Sequence, residues 1–267
     1  MYLFRHALLV ALTLSILSGC ATHRKLSAEE TRLTRLTEDL SRRGDTASVV
    51  TLYERAVVSM PGNPDMLLGL GQAYLRNGDP KAASETFRKV YRLRDGDPEA
   101  VLGLGYAALL EGNTERAYAL ISDAAPKLNT YAAFNLLGIT ATLTGNFAHA
   151  HEAFNTAEAL DKDNLEIKSN QALAYALDND FPNAIQKMAN VMASPLAEPH
   201  HARRQVLILV LANEDQQAEQ LLQGMPKKER SSLLGQARRI RAISDPARRA
   251  AAIGLIPTFA TRQGAHA

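Results

Sequence analysis

Residues 98–130 read PEAVLGLGYAALLEGNTERAYALISDAAPKLNT, and the spacing of small and apolar residues in this stretch decides the fold. The positions that matter are Val101, Leu104, Gly105, Ala108, Gly112, Ala117, Ile121 and Ala124. One period earlier, from Pro64, the same places hold Leu67, Leu70, Gly71, Tyr74, Gly78, Ala83, Phe87 and Val90. One period later, from Tyr131, they hold Phe134, Leu137, Gly138, Ala141, Gly145, Ala150, Phe154 and Ala157. A period of about 34 residues with two amphipathic helical patterns per unit marks a helix-turn-helix solenoid. Gly71, Gly105 and Gly138 let the first helix of a unit approach its partner closely. Ala83, Ala117 and Ala150 clear the crossing point, and Phe87, Ile121 and Phe154 fill the space between units.

These units resemble tetratricopeptide repeats, and the three quoted match nearly every place of that family's pattern. The fourth place, often Trp in the family, holds Leu67, Val101 and Phe134, and the chain has no Trp. The resemblance implies an all-α, right-handed superhelical solenoid of helix-turn-helix repeats. It spans residues 30–224 in about five to six units, with a basic C-terminal helical cap and tail over 227–267.

At 267 residues the chain could bury one large core, but an array of repeats has none that is single. Abundant Ala and Leu with interspersed charge of both signs suit an all-helical array. The net charge of +2 gives no global field for nucleic acid. One cysteine excludes an internal disulfide framework and a Cys-based zinc site.

The position of that cysteine explains it. Met1–His6 carries Arg5, and Ala7–Leu17 is an apolar run too short to span a bilayer. The run ends in Leu17-Ser18-Gly19-Cys20, which resembles a bacterial lipoprotein cleavage box. The resemblance implies removal of residues 1–19 and acylation of Cys20, whose sulfur supplies the nucleophile for lipid attachment. Several acyl chains, each buried CH₂ contributing about 0.8 kcal/mol, make such an anchor stable. Ala21 stands where Asp, in that family, would suggest retention at the inner membrane. The expected location is therefore the outer membrane, lipid-anchored and facing the periplasm. Residues 20–29 form a short polar tether.

In chain order, the first unit places Leu33, Leu36 and Leu40 on an apolar stripe, turns at Gly44-Asp45, and sets Val49, Tyr53 and Ala56 inward. Asp79-Pro80 and Asp97-Pro98 combine a capping carboxylate with proline at the first helical position, where no N–H is needed. Unit five keeps Ala172, Tyr175, Ala184, Met188 and Val191 but has Lys168 and Gln171 at apolar places, which predicts poorer packing. A sixth, eroded unit follows Pro199 with Val206, Leu209, Ala218 and Leu222, and Gly224-Met225-Pro226 breaks the chain. Beyond it, Leu233, Leu234, Ala237, Ile240 and Ile243 predict an amphipathic helix, and Asp245-Pro246 opens a last short one. This region carries Lys227, Lys228, Arg230, Arg238, Arg239, Arg241, Arg248 and Arg249 against Glu229 and Asp245. It reads as a solubilising cap on the open end of the array, or as a contact for anionic lipid, cell-wall polymer or an acidic partner.

No catalytic constellation is present, and neither a cofactor nor a metal is expected. His149 and His151 stand two apart on a helix and point to different faces. His200-His201 opens a helix without a cysteine or an evident carboxylate cluster. The serines lack the Gly-x-Ser-x-Gly elbow.

In the tetratricopeptide family the second, fifth, ninth and twelfth places of each first helix line a peptide-binding groove. Carried over, the resemblance implies Asp65, Leu68, Gln72 and Leu75 in unit two and Glu99, Leu102, Tyr106 and Leu109 in unit three. Unit four supplies Ala132, Asn135, Ile139 and Thr142. Such a groove, apolar along its middle with acids at the rim, suits an amphipathic helix or an extended apolar strand. Alternatively, the C-terminal helix folds back and fills it.

A lipoprotein leader, a repeat array and a tail with Arg238-Arg239, Asp245-Pro246-Ala247-Arg248 and Gly254-Leu255 together resemble the TadD-like lipoproteins of the tight-adherence (Flp) pilus system. That resemblance implies a non-enzymatic, pilotin-like assembly factor whose partner is a secretin or another pilus assembly subunit. A periplasmic adaptor organising cell-wall hydrolases or synthases is the alternative. A hydrolase would need a nucleophile that the sequence does not offer.

Overall fold

The computed structural model describes residues 28–253 and Leu255. The leader over 1–19, Cys20 and nearly all of the 20–29 tether lie outside the described residues, as do Gly254 and the tail beyond Leu255. The described chain is helical throughout, with no strand among the described residues. Unit one is α1 (Ala28–Arg42) and α2 (Thr46–Ser59), unit two α3 (Pro64–Arg76) and α4 (Pro80–Leu93), and unit three α5 (Pro98–Leu110) and α6 (Thr114–Leu128). Unit four follows as α7 (Tyr131–Leu143) and α8 (Phe147–Leu160), and unit five as α9 (Leu165–Leu177) and α10 (Phe181–Met192). Unit six is α11 (Pro199–Leu211) and the short α12 (Asp215–Leu221), and α13 (Lys227–Arg241) and α14 (Pro246–Ile253) complete the chain. None of these helices is long and apolar enough to cross a membrane.

Helix starts follow from capping chemistry. Asp79 accepts from the backbone N–H of Ala82, and Asp97 from those of Glu99 and Ala100, with proline next in both cases. Asn63, Asn113, Asn146 and Asn164 cap in the same way. Each satisfies donors that a helix N-terminus otherwise leaves orphaned. The turn inside each unit passes through the left-handed region at one recurring place. Gly44, Gly78, Gly112 and Gly145 hold it in units one to four, and Asn179 and Asn213 hold it in units five and six. Asparagine is the residue after glycine that tolerates this conformation, so the eroded units keep the register that the earlier ones set.

Packing between units rests on rings set against glycine. A Cβ at Gly71 would lie 2.6 Å from Phe87 Cε1, and one at Gly103 2.5 Å from Phe87 Cε2 and Cζ. The Phe87 ring is thus held between the first helices of units two and three. Gly105 is closed in the same sense by Ile121, Gly138 by Phe154, and Gly69 by Tyr53. Buried apolar side chains from Leu67 to Leu255 form one large cluster centred on units two to five. Val49, Val50, Leu70 and Ala73 form a smaller one at the first joint, and Val206, Leu209, Ala218 and Leu234 another where unit six meets α13.

One expectation differs. Leu36 is 44% exposed, because α1 packs on α2 alone among the described helices. Unit five packs less closely than units three and four, as its sequence predicts. Ile167 is buried one place before half-buried Lys168, and fully buried Gln171 donates its amide to Asn155 at 2.7 Å.

Candidate partner-binding groove

In a solenoid the elements on the inside of the curve stand closest together. Here α3, α5, α7, α9 and α11 touch in succession, whereas the second helices meet only their flanking first helices. The first helices therefore form the inner, concave row.

Along this row the structure divides the expected groove residues by burial. Leu68, Leu75, Tyr106, Leu109, Ile139 and Thr142 are buried. Asp65, Gln72, Leu102, Ala132 and Asn135 are half-buried and Glu99 is exposed, so these keep accessible surface. Most of the apolar residues have turned beneath the surface because the row is tightly stacked. What faces outward over α3 and α5 is Leu102 with a polar rim. Arg94 reaches into this rim, with Nη2 2.6 Å from Asp65 and Nη1 3.6 Å from Asp97. Partial desolvation, with the Asp97 carboxylate beside it, pushes the Glu99 carboxyl above its ordinary pKa. Burial likewise raises the Tyr106 phenol. Asn135 accepts from Asn170 Nδ2 at 3.1 Å across the junction of units four and five.

Farther along, α14 lies against α7 and α9. Its Ala250, together with Leu255, is buried in the cluster that contains Ile139 and Leu173, and Ile253 packs against it. The C-terminal helix thus does fold back, over units four and five, while α5 and α3 carry no such cover among the described helices.

A second polar site lies where α9 meets α11. Glu166 takes the second place of unit five and His200 the second place of unit six, and His200 Nε2 contacts Glu166 Oε1. His201 Nε2 lies 3.2 Å from the same oxygen, and Arg204 Nη1 donates to Glu166 Oε2 at 2.9 Å. His200 Nδ1 is 3.5 Å from Glu198, and Arg204 also bonds Ser169. Burial alone would raise the Glu166 pKa, but Arg204 and His200 outweigh it and hold the carboxyl below its ordinary value. Burial depresses the pKa of His201, assisted by His200. The expectation that no carboxylate accompanies the histidine pair is corrected: Glu166 supplies one from the preceding unit. The signal was available in the repeat period, which places Glu166 and His200 at equivalent positions.

The donor atoms of Glu166, His200 and His201 lie within 4.8 Å of one another, close enough for a metal ion. The tautomer of His201 opposes that use. Its Nδ1 accepts the backbone N–H of Glu198 at 2.9 Å, so in the neutral ring the proton resides on Nε2 and leaves no lone pair there for a metal. The Arg204 guanidinium adds a positive charge beside the carboxylate. This is an ion-pair junction between two repeats.

The other histidine pair does separate onto two faces. His149 Nδ1 lies 2.6 Å from the Tyr118 hydroxyl of the preceding unit. His151 stacks on Tyr175 of the following unit at 4.1 Å between centroids, with Nε2 3.3 Å from Asp178.

The tetratricopeptide-repeat family model matches residues 37–98 and 68–132. Among solved structures, PilW, described as a widely conserved type IV pilus biogenesis factor, is similar at a TM-score of 0.67 and 17% identity. The match covers 79% of this chain and 98% of that one. A thermophilic TPR protein of Thermus thermophilus is similar at a TM-score of 0.58 and 22% identity, covering 67% and 98%. A TPR protein from Parabacteroides merdae reaches 0.60 at 13% identity over 84% and 90%. No curated protein sequence matches the chain. The fold is an all-α tetratricopeptide solenoid, a scaffold of the kind that binds protein partners.

Proposed function

With a tetratricopeptide solenoid as its framework, we propose that this chain is a non-enzymatic scaffold that captures a protein segment on its concave face. The observation that carries the reading is the stretch over α3 and α5 that no other described helix of the concave side overlies. There, half-buried Leu102 lies among Asp65, Gln72 and Glu99 on a row of helices otherwise stacked shut. A single accessible aliphatic group with carboxylates at the rim suits an amphipathic segment with basic flanks.

The leader and Cys20 support an outer-membrane lipoprotein facing the periplasm. Its cargo, in the pilotin-like reading, is a secretin or other assembly subunit of a Tad/Flp pilus. PilW, similar in fold, is described as a pilus biogenesis factor, which accords with this reading while the low identity ties the two only at the level of fold. Lipidation would deliver the bound subunit to the membrane along with its carrier.

The test is crosslinking and pull-down from envelopes with the lipidated full chain, partners identified by mass, beside Cys20→Ser. Recovery of a secretin subunit, with its assembly lost in Cys20→Ser, is the expected result. Unchanged assembly in Cys20→Ser would sink the pilotin mechanism, and recovery of wall hydrolases or synthases alone would replace it with the adaptor.

A further inference from the structure

The helix that covers α7 and α9 is built unlike the helices beneath it. α14 has eight residues, PARRAAAI. A helix this short has little stability of its own and stays helical only while packed. Among the described residues its hold on the array is a small apolar face: Ala250 and Leu255 are buried, and Ile253 is half-buried. Its charged residues reach back to the connection from α13. Asp245 accepts from the Arg248 backbone N–H at 2.6 Å, and the Arg249 guanidinium donates to the Ile243 carbonyl at 2.9 and 2.7 Å. These contacts fold the 242–245 hinge and travel with α14 if it leaves.

The platform beneath does not depend on α14 to satisfy its polar groups. The Thr140 hydroxyl donates to Leu136 and Leu137 carbonyls, both at 3.0 Å, and Thr142 to the Gly138 carbonyl at 2.7 Å. Removing α14 would uncover the surface of α7 and α9 beneath it without orphaning those hydroxyls. The platform also continues the concave row that bears Leu102, so a segment seated on α3 and α5 and extending along the row meets α14.

We propose that α14 is a removable occupant of the groove over α7 and α9. The segment captured there in its place is a short amphipathic helix of α14's own chemistry. It carries a small residue facing inward, a branched aliphatic residue three positions on, and arginines outward. The proposal rests on the concave-capture reading and names the chemistry of its cargo. The tether gives α14 a high effective concentration, so a cargo helix must outcompete it, and wild-type chain admits only tight or extended partners.

The test has two arms, both on the full chain. In wild-type protein, amide exchange is followed in α14 and in α7. Exchange in α14 at least about tenfold faster than in α7 is expected for an element that opens alone, and equal protection of the two would overturn the proposal. In the second arm a fluorescent synthetic peptide copying residues 245–257 is titrated into wild type and into Ile253→Asp/Leu255→Asp. Binding to the variant at least about tenfold tighter than to wild type is expected. Equal binding, or a variant that has lost its helicity, would make α14 an integral part of the core. Neither arm uses an envelope partner. Failure to recover a pilus subunit therefore leaves these results intact, and a peptide that fails to discriminate leaves envelope capture over α3 and α5 standing.

Discussion

Arg204 donates to Glu166 at 2.9 Å across the junction of units five and six, and the carboxylate it meets also contacts His200. The pair links α9 to α11 at the inner edge of the solenoid. With Glu166 40% exposed, solvent screens much of the attraction. Glu166→Gln is expected to cost about 1 kcal/mol of stability. Arg204→Gln should cost a similar amount, and the double variant should cost less than the sum because both changes break the same contact. Urea denaturation of the three variants measures this coupling.

Acid should weaken the same junction in two stages. The folded-state pKa of His201 lies below its ordinary value of 6.5, so the stability it contributes is complete above that pH. It is lost as pH falls from there through the depressed folded value. Glu166, also depressed from 4.5, contributes fully above that pH and loses its contribution as pH falls further. Thermal unfolding between pH 7.5 and 4 should show a falling Tm with the first decline near pH 6.5. His201→Gln should remove that first decline and leave the second.

The Phe87 ring leaves no room for a methyl group at Gly103, where a Cβ would stand 2.5 Å away. Gly103→Ala is expected to cost about 1–3 kcal/mol by overpacking, despite alanine's better helix propensity. Phe87→Leu alone should destabilise by leaving space, yet in combination with Gly103→Ala part of the loss should return. Thermal melts of the single and double variants test that compensation.

Asn179 and Asn213 occupy the left-handed turn place with φ of 62° and 63°. Replacing either with glycine should stabilise the protein by up to about 1 kcal/mol, since the Cβ strain disappears. Asn179→Ala should destabilise by a comparable amount. Urea midpoints decide the matter, and an unchanged midpoint in both glycine variants would contradict it.

On the concave row, Leu102 and Tyr106 are expected to behave differently. Leu102→Asp should abolish partner capture while circular dichroism and Tm stay near wild type, because the side chain is half-exposed. Tyr106→Ala removes a buried ring and should cost about 3–5 kcal/mol. A pull-down paired with a thermal melt separates the two effects.

Much of this architecture was legible in the chain. Gly71, Gly105 and Gly138 repeat against Phe87, Ile121 and Phe154, and the capping pairs Asp79-Pro80 and Asp97-Pro98 fixed where helices begin. Units five and six were harder to read because their turn glycines had become Asn179 and Asn213, a substitution that preserves the backbone while hiding the pattern. The Glu166 junction was obscured for a related reason. Its members are unremarkable alone and become neighbours only when two repeats are laid in register. Burial of Leu68, Leu75 and Leu109 depends on how tightly successive first helices stack, which helical periodicity does not report. The course of α14 over α7 and α9 is a choice among apolar surfaces that pattern alone leaves open, and Cys20 lies outside the described residues.

The ring-and-glycine contacts carry a consequence for how this array can change. Tyr53 is met by Gly69 and Phe87 by Gly103. At the next equivalent places the bulk is redistributed, a smaller Ile121 before a larger Leu136. Each joint therefore has its own lock and key, in which a large group on one unit demands an empty space on the next. The units share a backbone but are not interchangeable parts. Exchanging unit two with unit four would set Tyr53 against Leu136, so duplication or shuffling of a single repeat would have to be accompanied by change in the neighbour it meets.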